Sequence, residues 1–279
     1  MNKIKITANA KVNFTLDITG VKNGYHEIES LVASVDLSDA VTLFKRNDGL
    51  ITVKMKGLGR NIPEKSNNAL IAGELFVKTF GTLGADIVID KSIPLGGGLG
   101  GSSADAVAVI KGLAALYGIS ADLTPLANKL GSDTAYMLNG GFAVISGRGE
   151  KITPLSVNAK FYLLILSASE QILAKSAYGE YDKQGLLYEK TTKPAVTYLT
   201  NGENDKFLNC LGNHLTGAAK WLLPETGENL KTLLKFSAAN MTGSGSAVYA
   251  AFVCRRERDK AYRKLKKTFA GKLLKAETI

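Results

Sequence analysis

The stretch Pro94-Leu95-Gly96-Gly97-Gly98-Leu99-Gly100-Gly101-Ser102-Ser103-Ala104 places five glycines in the six positions from Gly96 to Gly101. Glycine lacks the Cβ that keeps a ligand off the backbone, so such a run lets several N–H groups converge on one anion. A β-branched run, Ala85 to Asp90, precedes the loop, and a run rich in Ala, Val and Leu, Asp105 to Tyr117, follows it. The loop therefore opens a predicted helix, where free amides and the helix dipole favour phosphate. A tight turn is the plainer alternative, but one or two glycines would serve it. Ser102 and Ser103 offer hydroxyls to phosphate or to a hydrated Mg²⁺, and helix capping is compatible with both. No Lys follows the loop, so the Walker pattern fails. Gly96, Gly98 and Gly101 match GxGxxG, yet the next helix leads into another helix, which excludes a dinucleotide-binding unit.

Other chemistry-bearing residues are scattered, and each has a plain reading beside it. Lys11 and Asn13 lie on the polar face of a strand, which is otherwise a solvated face. Tyr25 and His26 read as a turn aromatic and a surface histidine. His214, between Leu211 and Leu215, reads as structural. Asp133 precedes a short predicted helix and suits an N-cap. Asn67 also suits an N-cap, Lys91 a solvated strand end, and Tyr178 a packed helix position. Thr242-Gly243-Ser244-Gly245 is a turn before a strand.

The elements that must hold these residues can be read from periodicity. From Ile4 to Ile18 every even position is apolar and every odd position from Lys3 to Asp17 is polar, which predicts one long strand with one buried face. Val41–Lys45 and Ile51–Lys56 are further strands, with a turn signal at Arg46-Asn47-Asp48-Gly49 between them. Helices are expected over Ser66–Phe80, Asp105–Tyr117 and Leu123–Leu130, stopping at Gly81, Gly118 and Gly131, with a further short one from Ser132 or Asp133. Strands Phe142–Ser146 and Phe161–Leu166 follow. Then come helical segments near Glu170–Tyr181, Lys206–Leu222 and Gly227–Lys235, a strand Ala247–Cys254, and a basic helix Arg255–Lys275. Segregation of strands from helices predicts an α+β fold, with a boundary near 150–160.

Composition narrows the partners. The chain has 279 residues, 45% of them hydrophobic and 22% charged, which excludes wholesale disorder. Thirty-five basic against 25 acidic residues give a net charge of +10, a field that suits anionic partners without choosing among them. Two cysteines cannot build a disulfide framework, and a reduced cytoplasmic setting is expected. Met1–Gly20 has no apolar signal core, and no run reaches transmembrane length. The basic run Arg255, Arg256, Arg258, Lys260, Arg263, Lys264, Lys266 and Lys267 comes with an apolar stripe, Tyr262, Leu265 and Phe269. It reads as the solvated face of a packed helix, and no nucleic acid or membrane partner is expected.

Three segments in order carry a resemblance: Ala8-Asn9-Ala10-Lys11-Val12-Asn13, the Pro94 to Ala104 loop, and Met241-Thr242-Gly243-Ser244-Gly245-Ser246. Together they resemble the GHMP kinases. Within that superfamily, Lys11-Val12-Asn13 with Gly24-Tyr25-His26-Glu27, Asp90-Lys91, Ser103-Ala104-Asp105-Ala106 and Gly131-Ser132-Asp133 is most similar to the 4-diphosphocytidyl-2-C-methyl-D-erythritol kinases. The similarity covers most of Lys5 to Glu150. It departs at Ala135, where the family has Pro, at Asn9 for a common Pro, and at Ser102 for a common third Gly.

The resemblance implies a two-domain α+β architecture. Residues 1–155 would form an ATP-binding domain like the second domain of ribosomal protein S5, and residues 156–279 a ferredoxin-like domain. It implies transfer of the ATP γ-phosphate, with Mg²⁺, to the 2-hydroxyl of the cytidyl sugar alcohol. Lys11 and Asp133 would be catalytic. Asn67, Lys91, Pro94, Gly96, Gly97, Gly98, Leu99, Gly100, Gly101, Ser102 and Ser103 would hold the nucleotide. Asn13, Tyr25, His26, Tyr178, Thr242, Gly243 and Ser244 would hold the acceptor, with Tyr25 stacked on cytosine and His26 bonded to its edge. A carboxyl with pKa about 4 cannot strip an alcohol in advance, but in a loose phosphoryl transfer it need only orient the hydroxyl and take its proton late. No resident metal site is expected, and the protein should be a monomer or weak homodimer. Homoserine-type or mevalonate-type acceptors, or a non-catalytic nucleotide-binding regulator on the same fold, remain the alternatives.

Overall fold

The structure is a computed structural model that describes residues 1–58, 67–185 and 188–279. Its elements run β1 (Lys3–Asn13), β2 (Thr15–Lys22), β3 (Tyr25–Lys45), β4 (Ile51–Gly57), α1 (Asn68–Phe80), β5 (Ala85–Lys91), α2 (Gly101–Tyr117), α3 (Thr124–Leu130), α4 (Thr134–Asn139), β6 (Phe142–Gly147), β7 (Lys151–Pro154), β8 (Tyr162–Ser167), α5 (Ala174–Gln184), α6 (Thr192–Thr200), α7 (Asn204–Leu208), β9 (Gly212–Asn213), α8 (Thr216–Leu222), α9 (Pro224–Leu234), β10 (Ala239–Met241), β11 (Val248–Phe252), α10 (Arg255–Leu265) and β12 (Lys272–Glu277). The fold is α+β. Two compact units interleave along the chain: Met1–Ala10, Leu37–Leu95 and Gly100–Gly140 form the first, and Lys11–Asp36, Gly96–Leu99 and Gly141–Ile279 the second. The strands β1 and β3 each contribute residues to both, so no single point in sequence divides them.

In the first unit, β5 pairs in parallel with β4 and antiparallel with the end of β3. The turn signal at 46–49 thus joins strands that are not neighbours, because β5 lies between them. Asn67 caps α1 through Oδ1, 3.0 Å from the Ala69 amide, and Gly81 ends the helix in the left-handed region. Ser66, the expected start, lies outside the described residues. The helix α2 begins four residues before the expected Asp105, at Gly101, because Gly100 with φ +71° turns the glycine run directly into the helix. Its residues Val107, Ile110 and Leu113 pack with Leu43, Phe76 and Ile87 in the core of this unit.

In the second unit, β8 runs antiparallel between β11 and β12, with β10 beyond β11. The apolar run of β8 supplies its centre. The strand expected over Ile4–Ile18 is interrupted at Phe14, whose buried ring joins Phe142, Phe161, Phe207 and Tyr249 in an aromatic cluster. The helix expected over Lys206–Leu222 is broken into α7 and α8 by β9, which pairs in parallel with β2. His214 therefore sits in a turn, buried as expected of a structural residue, its Nδ1 accepting from the Ile18 amide at 3.0 Å. The C-terminal basic helix ends at Leu265 rather than continuing to Lys275, because Lys272–Glu277 pair with β8; strand pairing overrides local helical preference here. Its Arg255, Arg256, Lys260, Arg263 and Lys264 are exposed, while Arg258 is buried. Among the described residues no helix is long and apolar enough to cross a membrane.

Candidate functional site

In the second unit, Gly96–Leu99 is locked against the turn at 242–247. Gly98 adopts φ +73°, and a Cβ on it would lie 2.1 Å from the Thr242 carbonyl oxygen. Thr242 Oγ1 accepts from the Asn13 amide at 3.0 Å and lies 3.2 Å from the Gly98 carbonyl, to which it donates. The Ala247 amide donates to Gly97 O at 3.3 Å, and the Lys11 amide to Leu99 O at 3.0 Å. Leu99 is the buried apolar anchor of the segment. Asn213, which nothing in the sequence singled out, donates through Nδ2 to Met241 O and Gly243 O at 3.0 and 2.8 Å, holding the turn from behind. Ser244 is half-buried beside them.

In the first unit, no side chain caps the first turn of α2. Ser102 is exposed and Ser103 half-buried, and the N-cap position falls on Gly100, so neither serine caps the helix. Pro94 is buried at the start of the loop. Lys91 points inward rather than to solvent: the strand β5 buries alternate residues Ala85, Ile87 and Ile89, and Lys91 continues that face. Its Nζ donates to Asp39 Oδ2 at 2.5 Å and Asp105 Oδ2 at 2.6 Å. Burial pushes the Asp105 carboxyl up to about 7, against the pull of Lys91 and with help from Asp39. Asp133 occupies the N-cap position of α4, but its side chain makes no capping bond, so the N-cap reading does not account for the carboxylate.

Lys11 and Asn13 are buried, not on a solvated face. Strict alternation fails near the end of β1 because both sides of the strand are covered there. Lys11 Nζ donates to Asn13 Oδ1 at 2.6 Å, and Asn13 Nδ2 donates to Ser30 Oγ at 2.8 Å.

Tyr25 and His26 follow a two-residue turn, Asn23-Gly24, with φ of +52° and +76°, the positive values a tight β2–β3 hairpin needs. Tyr25 is exposed, with the Arg148 guanidinium 3.9 Å from its ring centre. His26 stacks on Tyr178, centroids 4.8 Å apart and planes 21° from parallel. Its Nε2 lies 2.7 Å from Asp182 Oδ1. An ionised carboxylate only accepts, so Nε2 is the donor, and in the neutral ring Nδ1 then presents a lone pair. His26 and Tyr178 are thus brought together with Asp182, which was not expected, and an equally unexpected Arg148 lies against Tyr25. A signal for Asp182 was present: it follows Tyr178 by four residues, on one face of α5.

Comparison with known proteins agrees with this geometry. Residues 67–147 match the GHMP kinases N terminal domain. A 4-diphosphocytidyl-2-C-methyl-D-erythritol kinase of Clostridium tetani is 34% identical over 95% of this chain and 97% of its own. This chain belongs to the 4-diphosphocytidyl-2-C-methyl-D-erythritol kinase family. A Listeria welshimeri member is 31% identical over 96% of this chain and 92% of its own. The crystal structure of a 4-(cytidine 5'-diphospho)-2C-methyl-D-erythritol kinase superposes with a TM-score of 0.82 at 27% identity, covering 98% of each chain. A homoserine kinase from Cytophaga hutchinsonii shares the fold, with a TM-score of 0.76 at 21% identity over 100% of this chain and 95% of its own. Family membership makes the protein a kinase, and the α+β fold is that of the GHMP kinases.

Proposed function

We propose that this kinase transfers the γ-phosphate of ATP to the 2-hydroxyl of 4-diphosphocytidyl-2-C-methyl-D-erythritol, on the non-mevalonate route to isoprenoid precursors in the cytoplasm. Gly96 to Gly101 with Ser102 and Ser103 receive the triphosphate. Two features of the segment support this. The loop's backbone is held in place by packing so close that a Cβ at Gly98 or Gly96 would collide with Thr242 or Gln171 at 2.1 or 2.2 Å, and no side chain caps the start of α2, where an anion is favoured. Pro94 and Leu99 fix the ends of the loop, and Asn67 and Lys91 belong to the nucleotide side. Mg²⁺ fits as part of the nucleotide complex. No group of three or more His, Cys, Asp or Glu among the described residues forms a cage for it, so phosphate oxygens and the Ser103 hydroxyl would hold it, and it would offset phosphate charge. Asp133 orients the acceptor hydroxyl and takes its proton late. Lys11 offsets charge on the transferring phosphoryl. Asn13, Thr242, Gly243 and Ser244 line the acceptor, and Tyr25 and Tyr178 supply stacking surfaces for its base.

The observation that carries the choice of acceptor is His26. With Nε2 committed to Asp182 and its ring stacked on Tyr178, Nδ1 is an acceptor suited to an exocyclic amine, the group that separates cytosine from uracil. ADP release measured with the cytidyl acceptor, its uridyl analogue, homoserine and mevalonate tests this. Turnover should be confined to the cytidyl compound. His26→Ala should raise the acceptor KM about tenfold or more, the loss expected for a buried-type specificity contact, with a much smaller change for ATP. Turnover of homoserine or mevalonate alone, or an unchanged acceptor KM in the variant, would overturn the reading.

A further inference from the structure

A chain of rings in the second unit leads away from His26. The His26 and Tyr181 rings meet edge to face, centroids 6.1 Å apart and planes at 85°. Tyr181 and Tyr188 stack at 6.0 Å and 22°, and Tyr188 and His214 at 5.2 Å and 25°. The proposed transfer uses only His26 of these four. Stacked and edge-to-face contacts are the arrangements that ring quadrupoles favour, so each ring limits how the next can lie. The far end of the chain is fixed. His214 is 4% exposed. Its Nδ1 accepts from the Ile18 amide at 3.0 Å, so the proton is on Nε2, which lies 3.1 Å from Glu189 O and 3.3 Å from Asp17 Oδ1. Both ring nitrogens are committed, and the imidazole cannot turn without losing these contacts. The buried Asp17 in turn takes the amides of Thr191 and Thr192 at 3.0 and 2.9 Å, which ties the chain beyond Tyr188 to β2. The Tyr188 hydroxyl packs on α8, where a Cβ on Gly217 would come within 2.5 Å of it.

His26 needs such support. Its partner Asp182 has a side chain that is 56% exposed, and a contact of that kind holds geometry weakly. Tyr178 bounds the imidazole from one direction, and Tyr181, nearly perpendicular to it, bounds it from another. A specificity contact works only when packing behind it locks its rotamer. We propose that Tyr181, Tyr188 and His214 are positioning residues for the acceptor's base. Anchored to β2 through Asp17 and the Ile18 amide, they set where His26 presents Nδ1, and so how well the site separates an exocyclic amine from a carbonyl. This deepens the reading of His26 as the base contact and rests on it.

Tyr188→Leu tests this by removing the ring between Tyr181 and His214, and Tyr188→Phe restores the ring without the hydroxyl. Two readouts are taken: ADP release with the cytidyl acceptor, its uridyl analogue and ATP each varied, and the histidine Cε1–Hε1 signals in carbon–proton NMR spectra. The chain has two histidines, and His26→Ala identifies the His26 signal. In Tyr188→Leu the His26 signal should shift, and the acceptor KM should rise about threefold to tenfold, the effect of losing one or two aromatic pairs. The preference for cytidyl over uridyl should fall with it. The KM for ATP and kcat should stay within about twofold, and Tyr188→Phe should return every value to that of the parent. His214→Asn is a second route: its Oδ1 can accept from the Ile18 amide as Nδ1 does, while the ring beneath Tyr188 is gone, and the same changes are expected. A lowered melting temperature with an unmoved His26 signal and an unchanged acceptor KM marks a merely structural array and overturns the proposal, as does an equal rise in both KM values. If the parent's His26 signal responds to the cytidyl acceptor but to neither substitution, the array alone is overturned. If it does not respond to the acceptor, the reading of His26 falls and the proposal with it.

Discussion

Lys91 and Lys11 show how much a single residue's surroundings alter its meaning. Each ends a run of alternating strand residues, and each is buried with its ammonium in a hydrogen bond, Lys91 to carboxylates and Lys11 to an amide oxygen. The inward direction of Lys91 was readable from the alternation Ala85, Ile87, Ile89, Lys91; its partners, 52 and 14 residues away, were not. For Lys11 the same alternation misled, because period 2 reports a solvated face only where one side of the strand is open. The buried carboxyl of Asp105 has a measurable consequence for stability. It holds its proton up to about pH 7 in the native state, whereas 3.8 is the ordinary value, so between these values the native state binds more protons than the unfolded chain. The stability this group contributes is complete below about pH 4 and is lost as pH rises to 7. Asp105→Asn should therefore flatten that part of the stability profile and raise stability at pH 8 by about 1–2 kcal/mol. Urea unfolding at pH 5 and pH 8 checks it; a variant less stable than the parent at pH 8 would contradict the assignment.

Elements were readable wherever their signals were local. The Gly81 and Gly118 stops, the buried run of β8 and the short strands β4 and β5 all depend on neighbours in sequence, and they fall within a residue or two of where periodicity put them. The failures share a cause. The ends of β1, the break at β9 and the strand β12 are set by partners far along the chain, which a window of ten residues cannot contain. Two local signals are exceptions: the Asn23-Gly24 hairpin, and Gly100, which starts α2 four residues early. Glycines with similar φ make the same distinction experimentally testable. Gly118 ends α2 at φ +68° with nothing within 4 Å of a Cβ, whereas Gly98, at φ +73°, would drive a Cβ to 2.1 Å from the Thr242 carbonyl. Gly118→Ala should carry only the conformational cost, about 1 kcal/mol, with kinetics intact. Gly98→Ala must separate the glycine segment from the 242–247 turn, and kcat/KM for ATP should fall by about 10²-fold or more, as displacements of about 1 Å do at reacting centres. Thermal melts beside ADP-release kinetics distinguish the two, and equal behaviour would show that the contact between Gly98 and Thr242 has no bearing on nucleotide use.

At the scale of the whole molecule, the excess of basic residues divides by burial. Of 35 lysines and arginines, those buried among the described residues are Lys11, Lys91 and Arg258. The exposed ones, including most of α10, sit in water where individual charges contribute little to stability. Arg258 is a structural cation. Its Nη1 donates to Ala276 O at 3.0 Å, its Nε to Asp259 at 2.8 Å, and its guanidinium lies 5.8 Å from the Tyr162 ring centre, so it ties α10 to β12 and β8. Lys11 is assigned to the transferring phosphoryl. The two should therefore separate stability from turnover. Arg258→Met strands the Ala276 carbonyl and should cost about 2–4 kcal/mol, lowering the melting temperature by about 5–10 °C, with KM values for both substrates unchanged in the protein that remains folded. Lys11→Met should instead lower kcat by about 10²–10³-fold, the usual loss on removing one preorganised charge from a transition state, with only a small shift in melting temperature. If Lys11→Met unfolded the protein while Arg258→Met abolished turnover, the buried cations would have exchanged roles, and the placement of phosphoryl transfer at the end of β1 would be wrong.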